Sequence, residues 1–214
     1  MVIEDLYIID DKRLIFSAGP SADALNSIRK ASYTVEEGVV QLNEAPWLLV
    51  QGDSYVRLGN INQHATLVYS ERGVGVIGST VKISSKTAHQ PFQYKDDTYY
   101  TELTENNLAD SICCNNELVF HLEDLNKHLN SKYVETGNPY VVADKIFFEA
   151  NKNKASFSTW EILVYDLNKK TFERIISKAA NPAYYKGKLF YCDMGSGNTV
   201  SGFTLRAKDY DIEG

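Results

Sequence analysis

The chain has 214 residues, 43% of them hydrophobic, and carries a formal net charge of −6 with a sequence pI near 5.3. Its longest apolar runs are far shorter than the roughly 18 residues that a membrane-spanning helix needs. The acidic balance argues against nucleic acid as a partner, because phosphate binding requires clustered lysine and arginine. We therefore expect a soluble domain with a full hydrophobic core and with neither a membrane nor a nucleic-acid partner.

The N-terminal sequence and the cysteines bear on where the protein is located in the cell and on the redox state of its thiols. The first residues, MVIEDLYIIDDKR, carry acidic side chains where a secretory signal has a basic segment, which predicts a cytoplasmic protein. The three cysteines, Cys113, Cys114 and Cys192, are an odd number, and two sequence neighbours form a disulfide only with backbone strain. We expect reduced, partly buried thiols.

Five hairpin signals follow one another along the chain, each an apolar or aromatic run, a short polar turn and a second such run. The first is LYIIDDKRLIF from residue 6, the second is APWLLVQGDSYVRL from residue 45, and the third is QPFQYKDDTYYTE from residue 90. The last two, NPYVVADKIFFEA from residue 138 and NPAYYKGKLFYCD from residue 181, match in length and in order of residue types. The spacings of 39, 45, 48 and 43 residues are typical of propeller blades.

Further strand signals lie between these hairpins. They are TLVYSERGVGVIG at 66–78, ELVFHLED at 117–124 and EILVYDLNKKTFERII at 161–176. With them the chain resembles degenerate β-propeller repeats whose last two strands read I-x-V-Y-D-L-x-T-K. The resemblance implies an all-β fold, a five-bladed β-propeller with four-stranded antiparallel blades. The alternative architecture is an irregular two-sheet β-sandwich.

The repeat predicts one domain over residues 1–214. The blades would cover approximately 6–44, 45–89, 90–137, 138–180 and 181–214. The last repeat is incomplete, so residues 1–5 would close the ring, with Val2 and Ile3 against the last blade. Apolar residues at helical spacing predict short helices at 21–30 and 121–130.

In a propeller, the residue that enters each first strand lies near the central axis on one face, beside the loop that joins the second and third strands. Such a face is the usual ligand site. The candidate binding residues are Asp5, Glu44, Gln90, Asn138 and Asn181, with the loop sequences TENNLADSICCN and NKNKASFST. A competing interpretation is that Asn138 and Asn181 only cap turns ahead of proline.

Motifs for catalysis and for metal binding are weak. The aspartates at the hairpin turns are better explained as turn formers, and the histidines lack metal-ligand spacing. Cys114 and His121 could be a catalytic couple, but alternation in ICC places at least one cysteine in the core. We predict no catalytic residue, no metal and no cofactor.

The leading functional hypothesis is a non-enzymatic protein-binding module, such as an inhibitor or immunity-type protein for a basic partner. One alternative is a carbohydrate-binding lectin, since one family of five-bladed propellers is lectins, although the five loop sequences here share little. A second alternative is a glycoside hydrolase-like enzyme with Asp5 and Glu44 as its carboxyl pair.

Overall fold

A computed structural model describes residues 2–10, 12–21, 24–36, 39–52, 56–61, 66–70, 73–76, 88–106, 108–195 and 204–212. These ranges contain 19 antiparallel β-strands, one α-helix and one short 3₁₀ turn at Phe157–Thr159. The predicted all-β class is therefore confirmed. The chain divides into an N-terminal unit, Met1–Gln90, and a C-terminal unit, Pro91–Gly214.

The N-terminal unit contains two sheets. The order of the first is β1-β2-β3-β4, with β5 also paired to β3, and the order of the second is β6-β7-β8. The strands are β1 Val2–Asp10, β2 Arg13–Gly19, β3 Ser27–Glu36, β4 Val39–Leu42, β5 Trp47–Gln51, β6 Val56–Ile61, β7 Thr66–Ser70 and β8 Gly73–Val76.

Two local predictions fail in this unit. The segment from residue 45 was expected to form a hairpin, but β5 pairs with β3 while β6 pairs with β7. The helix predicted at 21–30 is replaced from Ser27 onward by β3, which lies between β2 and β5. Val2 and Ile3 in β1, which ends the order of the first sheet, lie opposite Gly19 and Ala18, and their contact with the last blade stays a prediction.

The C-terminal unit is a run of meanders, β9-β10-β11-β12, β13-β14-β15-β16 and β17-β18-β19. The strands are β9 Ala88–Tyr94, β10 Asp97–Leu103, β11 Ala109–Cys114, β12 Glu117–His121, β13 Glu135–Val142, β14 Lys145–Asn151, β15 Trp160–Asp166, β16 Thr171–Ser177, β17 Ala179–Tyr185, β18 Lys188–Asp193 and β19 Thr204–Asp209. The hairpins predicted from residues 138 and 181 are confirmed in register.

One helix, α1 at Leu122–Leu129, connects the first two of these sheets, as the spacing of its leucines predicted. The His121 side chain accepts a hydrogen bond from the Glu123 N–H, and the Asp124 carboxylate accepts one from the His121 N–H. Both contacts satisfy backbone donors that the first helical turn leaves unpaired. Leu122 and Leu125 are buried, so one face of α1 packs into the core.

The core of the C-terminal unit is aromatic. Phe120 lies with its ring centroid 4.9 Å from that of Phe148 and 5.0 Å from that of Tyr165, and it meets Phe172 edge-on at 5.1 Å. These rings come from β12, β14, β15 and β16, so the contacts join two successive meanders. Offset and edge-on ring pairs of this kind add stability beyond area burial.

Three of the predicted first strands share a β-bulge. In each, two residues lie opposite one residue of the second strand: Asp5 and Leu6 opposite Phe16, Asn138 and Pro139 opposite Phe148, and Asn181 and Pro182 opposite Tyr191. The residues before Pro91, Pro139 and Pro182 have positive φ, which is 50° at Gln90, 48° at Asn138 and 55° at Asn181. A bulge leaves one residue unpaired and interrupts the alternation of side chains along the strand. Proline is tolerated at such an unpaired position because its missing N–H breaks no ladder hydrogen bond.

Candidate functional site

The five candidate binding residues have different outcomes. Asp5 occupies the bulge of β1, but its side chain lies outside the described residues. Glu44 is exposed after β4 and accepts a hydrogen bond from the Ser32 hydroxyl at 3.0 Å. Gln90 is half-buried in β9. Asn138 and Asn181 come together, so this pair is the starting point for a site.

The two asparagines meet because successive sheets place equivalent bulges side by side. The Asn138 Nδ2 donates to the Asn181 Oδ1 at 3.1 Å, although 43 residues separate them in sequence. Asparagine tolerates positive φ better than most residues, so both positions suit it. Their role is therefore more than capping a turn, because the contact links β13 to β17.

Beneath this pair lies a carboxyl group that the sequence analysis missed. Glu149 on β14 is only 5% exposed. Its Oε1 accepts a hydrogen bond from the Asn138 Nδ2 at 2.5 Å, and its Oε2 accepts one from the Asn181 backbone N–H at 2.7 Å. The two bulges thus supply donors to one buried carboxylate.

The environment of Glu149 places its titration near neutrality. Burial, with a smaller contribution from the negative charge of Glu135, raises the pKa of this carboxyl to about 7. The hydrogen bonds from Asn181 and Asn138 act in the opposite direction, because they stabilise the charged form. Since every residue of β14 is buried, a lone acid in this apolar run was a signal available from the sequence.

The predicted loop 151–159 is contiguous with this cluster and is internally hydrogen-bonded. The Asn151 Oδ1 accepts from the Asn153 N–H at 3.1 Å and lies 2.5 Å from the Thr159 hydroxyl, and the Asn153 Oδ1 accepts from the Ala155 N–H at 3.0 Å. The Asn151 Nδ2 donates to the Glu135 carboxylate at 2.8 Å. The loop is therefore held in one shape by its own side chains.

A group of charged residues anchors the base of the same loop. The Lys152 Nζ donates to the Glu161 Oε1 at 2.9 Å and lies 4.9 Å from the centroid of the Tyr133 ring. Burial acts to raise the pKa of Glu161, but hydrogen bonds from Tyr133 and Lys152 outweigh it and hold that pKa below its ordinary value. Burial and the hydrogen bond to Glu161 raise the pKa of Tyr133 to about 12.

The second predicted loop is mostly strand. TENNLADSICCN contains β11, Ala109–Cys114, and only residues 104–108 connect β10 to it. The Thr104 N–H donates to the Leu108 carbonyl at 2.8 Å across this short turn. The connection therefore offers much less surface than the sequence suggested.

Two of the three cysteines have structural roles, and the side chain of Cys192 lies outside the described residues. Cys113 is 3% exposed, and its thiol donates to the Glu102 carboxylate at 3.2 Å. Burial and then this hydrogen bond raise the pKa of the thiol to about 12. Burial also raises the pKa of Cys114. Neither thiol favours the thiolate that a nucleophile requires.

The imagined couple of Cys114 and His121 does not form. Cys114 lies opposite Glu117 and His121 opposite Ser111, so they stand at different ends of the β11–β12 ladder, about 10 Å apart along the strands. His121 Nε2 instead lies 3.1 Å from Asp110 Oδ2, while its Nδ1 accepts from the helix backbone. This histidine is a helix cap.

Within the described ranges, no three or more His, Cys, Asp and Glu side chains are grouped so as to hold a metal ion. The helix of the described chain, at eight residues, is too short to cross a membrane. No family model matches the sequence, and a search of curated proteins also returned no match.

Proposed function

We propose that this chain is a non-enzymatic protein-binding module whose binding surface consists of Asn138, Asn181 and loop 151–159. The observation that carries the proposal is the internal order of this loop. Asn151, Asn153 and Thr159 bond to one another and to the loop backbone, so the loop is shaped before any partner arrives. A pre-ordered loop loses less conformational entropy on binding than a floppy one.

The chemistry of this surface favours recognition over reaction. Asn181, Asn153, Lys154 and Ala155 are exposed and present amide, ammonium and backbone groups. The catalytic couple that the sequence suggested does not form, since Cys114 and His121 stand at different ends of the β11–β12 ladder and His121 caps α1. The net charge of −6 supports a basic protein as the partner, in the manner of an inhibitor or immunity-type protein, and the carboxylates that would attract it lie outside loop 151–159.

A matched pair of variants tests the surface. Ala155→Arg places a bulky side chain at an exposed position of the loop, and Ala207→Arg makes the same change at an exposed position of β19. Each tagged variant and the wild type are used for capture from native cells, with quantitative mass spectrometry. We expect Ala155→Arg to reduce recovery of the partner about tenfold or more, a change typical of losing an interface contact, and Ala207→Arg to retain it.

Equal recovery of every protein by both variants would place the interface elsewhere. A glycan array provides the second arm, because the carbohydrate-binding alternative predicts capture of at least one immobilised sugar. A sugar bound by the wild type and lost in Ala155→Arg would replace the protein partner with a carbohydrate.

We also infer that the meanders are blades of a five-bladed β-propeller, as the repeat predicts. The support is that β9–β12 and β13–β16 are complete four-stranded meanders and that the bulge recurs at equivalent positions. A crystal structure would test the proposal. Five sheets about one axis are expected, and two sheets packed face to face would establish the β-sandwich alternative.

A further inference from the structure

Two adjoining clefts lie in the C-terminal unit, and their lining residues are separate from loop 151–159. Their volumes are about 390 and 470 Å³. Both are lined by Val119 and Lys170, so they lie side by side, and we name the two together the β12 groove. The aromatic floor of its larger part, Phe120, Tyr165 and Phe172, belongs to the core.

One wall of the groove is an edge strand. β12 ends the sheet order β12-β11-β10-β9, and within the described chain its other side has no strand paired to it. Alternate backbone N–H and C=O groups of such a strand point outward and accept pairing from another extended chain. Leu118, 60% exposed, adds an apolar contact at this wall.

The larger cleft has a basic part to its lining. This part is formed by Lys127 and His128 from the last turn of α1 and by Lys170 from the turn between β15 and β16. The Lys170 Nζ lies 5.8 Å from the centroid of the Tyr165 ring. Among the described side chains, neither Lys127 nor Lys170 forms an ion pair with a carboxylate. The one acid in this part, Asp124, accepts the His121 N–H.

The smaller cleft carries acidic residues. Asp97 and Glu117 line it, and the Asp97 carboxylate accepts one hydrogen bond from the Asn115 side chain at 2.7 Å. Carboxylates thus line the smaller cleft and two basic residues of α1 line the larger one, with Lys170 in the lining of both. A ligand that complements this lining carries charges of both signs and hydrogen-bonding groups along its length.

We propose that the β12 groove binds an extended peptide segment of a partner protein, which pairs with the outer edge of β12 and directs an acidic group to Lys127 and Lys170. Strand addition at a sheet edge uses main-chain hydrogen bonds for affinity and side chains for specificity. The five residues of β12 span roughly 16 Å, enough for four or five residues of a ligand strand. The short, bulged edge limits pairing to such a segment.

The proposal does not rest on the function assigned to loop 151–159, since the two sites share no residue. The probe is a library of random octapeptides displayed on phage and selected against the whole immobilised chain. The enriched sequence is then synthesised with a fluorescent label and titrated by polarisation.

We expect the enriched peptides to share an acidic residue, and Lys170→Glu to weaken binding of the synthesised peptide about tenfold, because attraction is replaced by repulsion. The matched control is Lys169→Glu, in the same turn but outside the groove lining, which should stay within about twofold. Thermal melting confirms that both variants are folded.

Three results would overturn the proposal. One is that the library yields no peptide that binds the wild type. Another is a peptide that binds Lys170→Glu as tightly as the wild type. The third is a peptide weakened by Ala155→Arg and unaffected by Lys170→Glu, which would assign it to loop 151–159 and support the proposed function there.

Discussion

Glu149 lies in an environment that is unusual for a carboxylate. A charged carboxylate in a strand that is buried throughout loses its hydration, and two hydrogen bonds from Asn138 and Asn181 replace only part of it. The folded protein therefore holds the Glu149 proton up to a pKa of about 7, against 4.5 for the free side chain. Proton binding to this residue is thus coupled to the contact between β13 and β17.

The pH dependence of stability tests this environment. Because the folded pKa is the higher one, the stabilisation from protonated Glu149 is complete below about pH 4.5 and is lost as the pH rises through about 7. The loss is roughly 3 kcal/mol. Glu149→Gln has no proton to lose, although its amide cannot accept both hydrogen bonds. We expect Glu149→Gln to have a lower free energy of unfolding than the wild type at pH 4.5. At pH 8 the difference between the two should be smaller by roughly 3 kcal/mol, because only the wild type has lost stability.

Urea unfolding at a series of pH values gives this measurement. The control is Glu105→Gln, an exposed acid in the turn after β10, whose curve should run parallel to the wild type. A constant difference between Glu149→Gln and the wild type across the series would show that Glu149 is not held as a neutral acid.

Equivalent positions in the meanders of the C-terminal unit have the same strand pairing but different side-chain burial. Phe147 lies opposite Tyr140 and Phe190 opposite Ala183, each directly after a bulge, so the two phenylalanines are equivalent positions. Phe147 is fully buried, stacked on Tyr184 at 6.0 Å, whereas Phe190 is half-buried. The repeated sequence therefore specifies the pairing register of the two hairpins, whereas the side chains around each phenylalanine determine how far it is buried.

Two alanine substitutions test whether the contribution of a phenylalanine to stability follows its burial rather than its position in the hairpin. Phe147→Ala should reduce the free energy of unfolding by about 3 to 5 kcal/mol, because it leaves a cavity in packed surroundings. Phe190→Ala should cost about 1 to 2 kcal/mol, since water already reaches part of the ring. Denaturation midpoints in urea measure both. Equal losses would mean that burial does not follow the packing described here.

Local sequence patterns predicted a helix or a hairpin correctly where contacts between residues near in sequence stabilise it. The segment 121–130 became α1 because His121 and Asp124 satisfy its first turn and leucines recur on one face. The segment 21–30 had a similar spacing, yet Ser27–Lys30 pair with β2 on one side and β5 on the other. Pairing partners distant in sequence override a weak helical preference.

At the scale of the whole molecule, the net charge of −6 acts on association more than on fold. An acidic surface raises the encounter rate with a basic protein at low ionic strength. We expect association with the captured partner to slow as salt rises from about 0.05 to 0.5 M, since the Debye length falls from roughly 14 to 4 Å. Stopped-flow or surface plasmon resonance measures the rate. A rate independent of salt would exclude a basic partner steered by charge.

The sequence by itself determined the all-β class, the helix α1 and the hairpins from residues 138 and 181, because each depends on side chains within a few residues. It also singled out Asn138, Asn181 and loop 151–159. Only the tertiary structure decided that Glu149 lies beneath the two asparagines, that β5 pairs with β3, and that β12 borders two clefts lined by charged residues. These features join strands that are distant in sequence, and a local pattern predicts a strand without specifying the strand beside it.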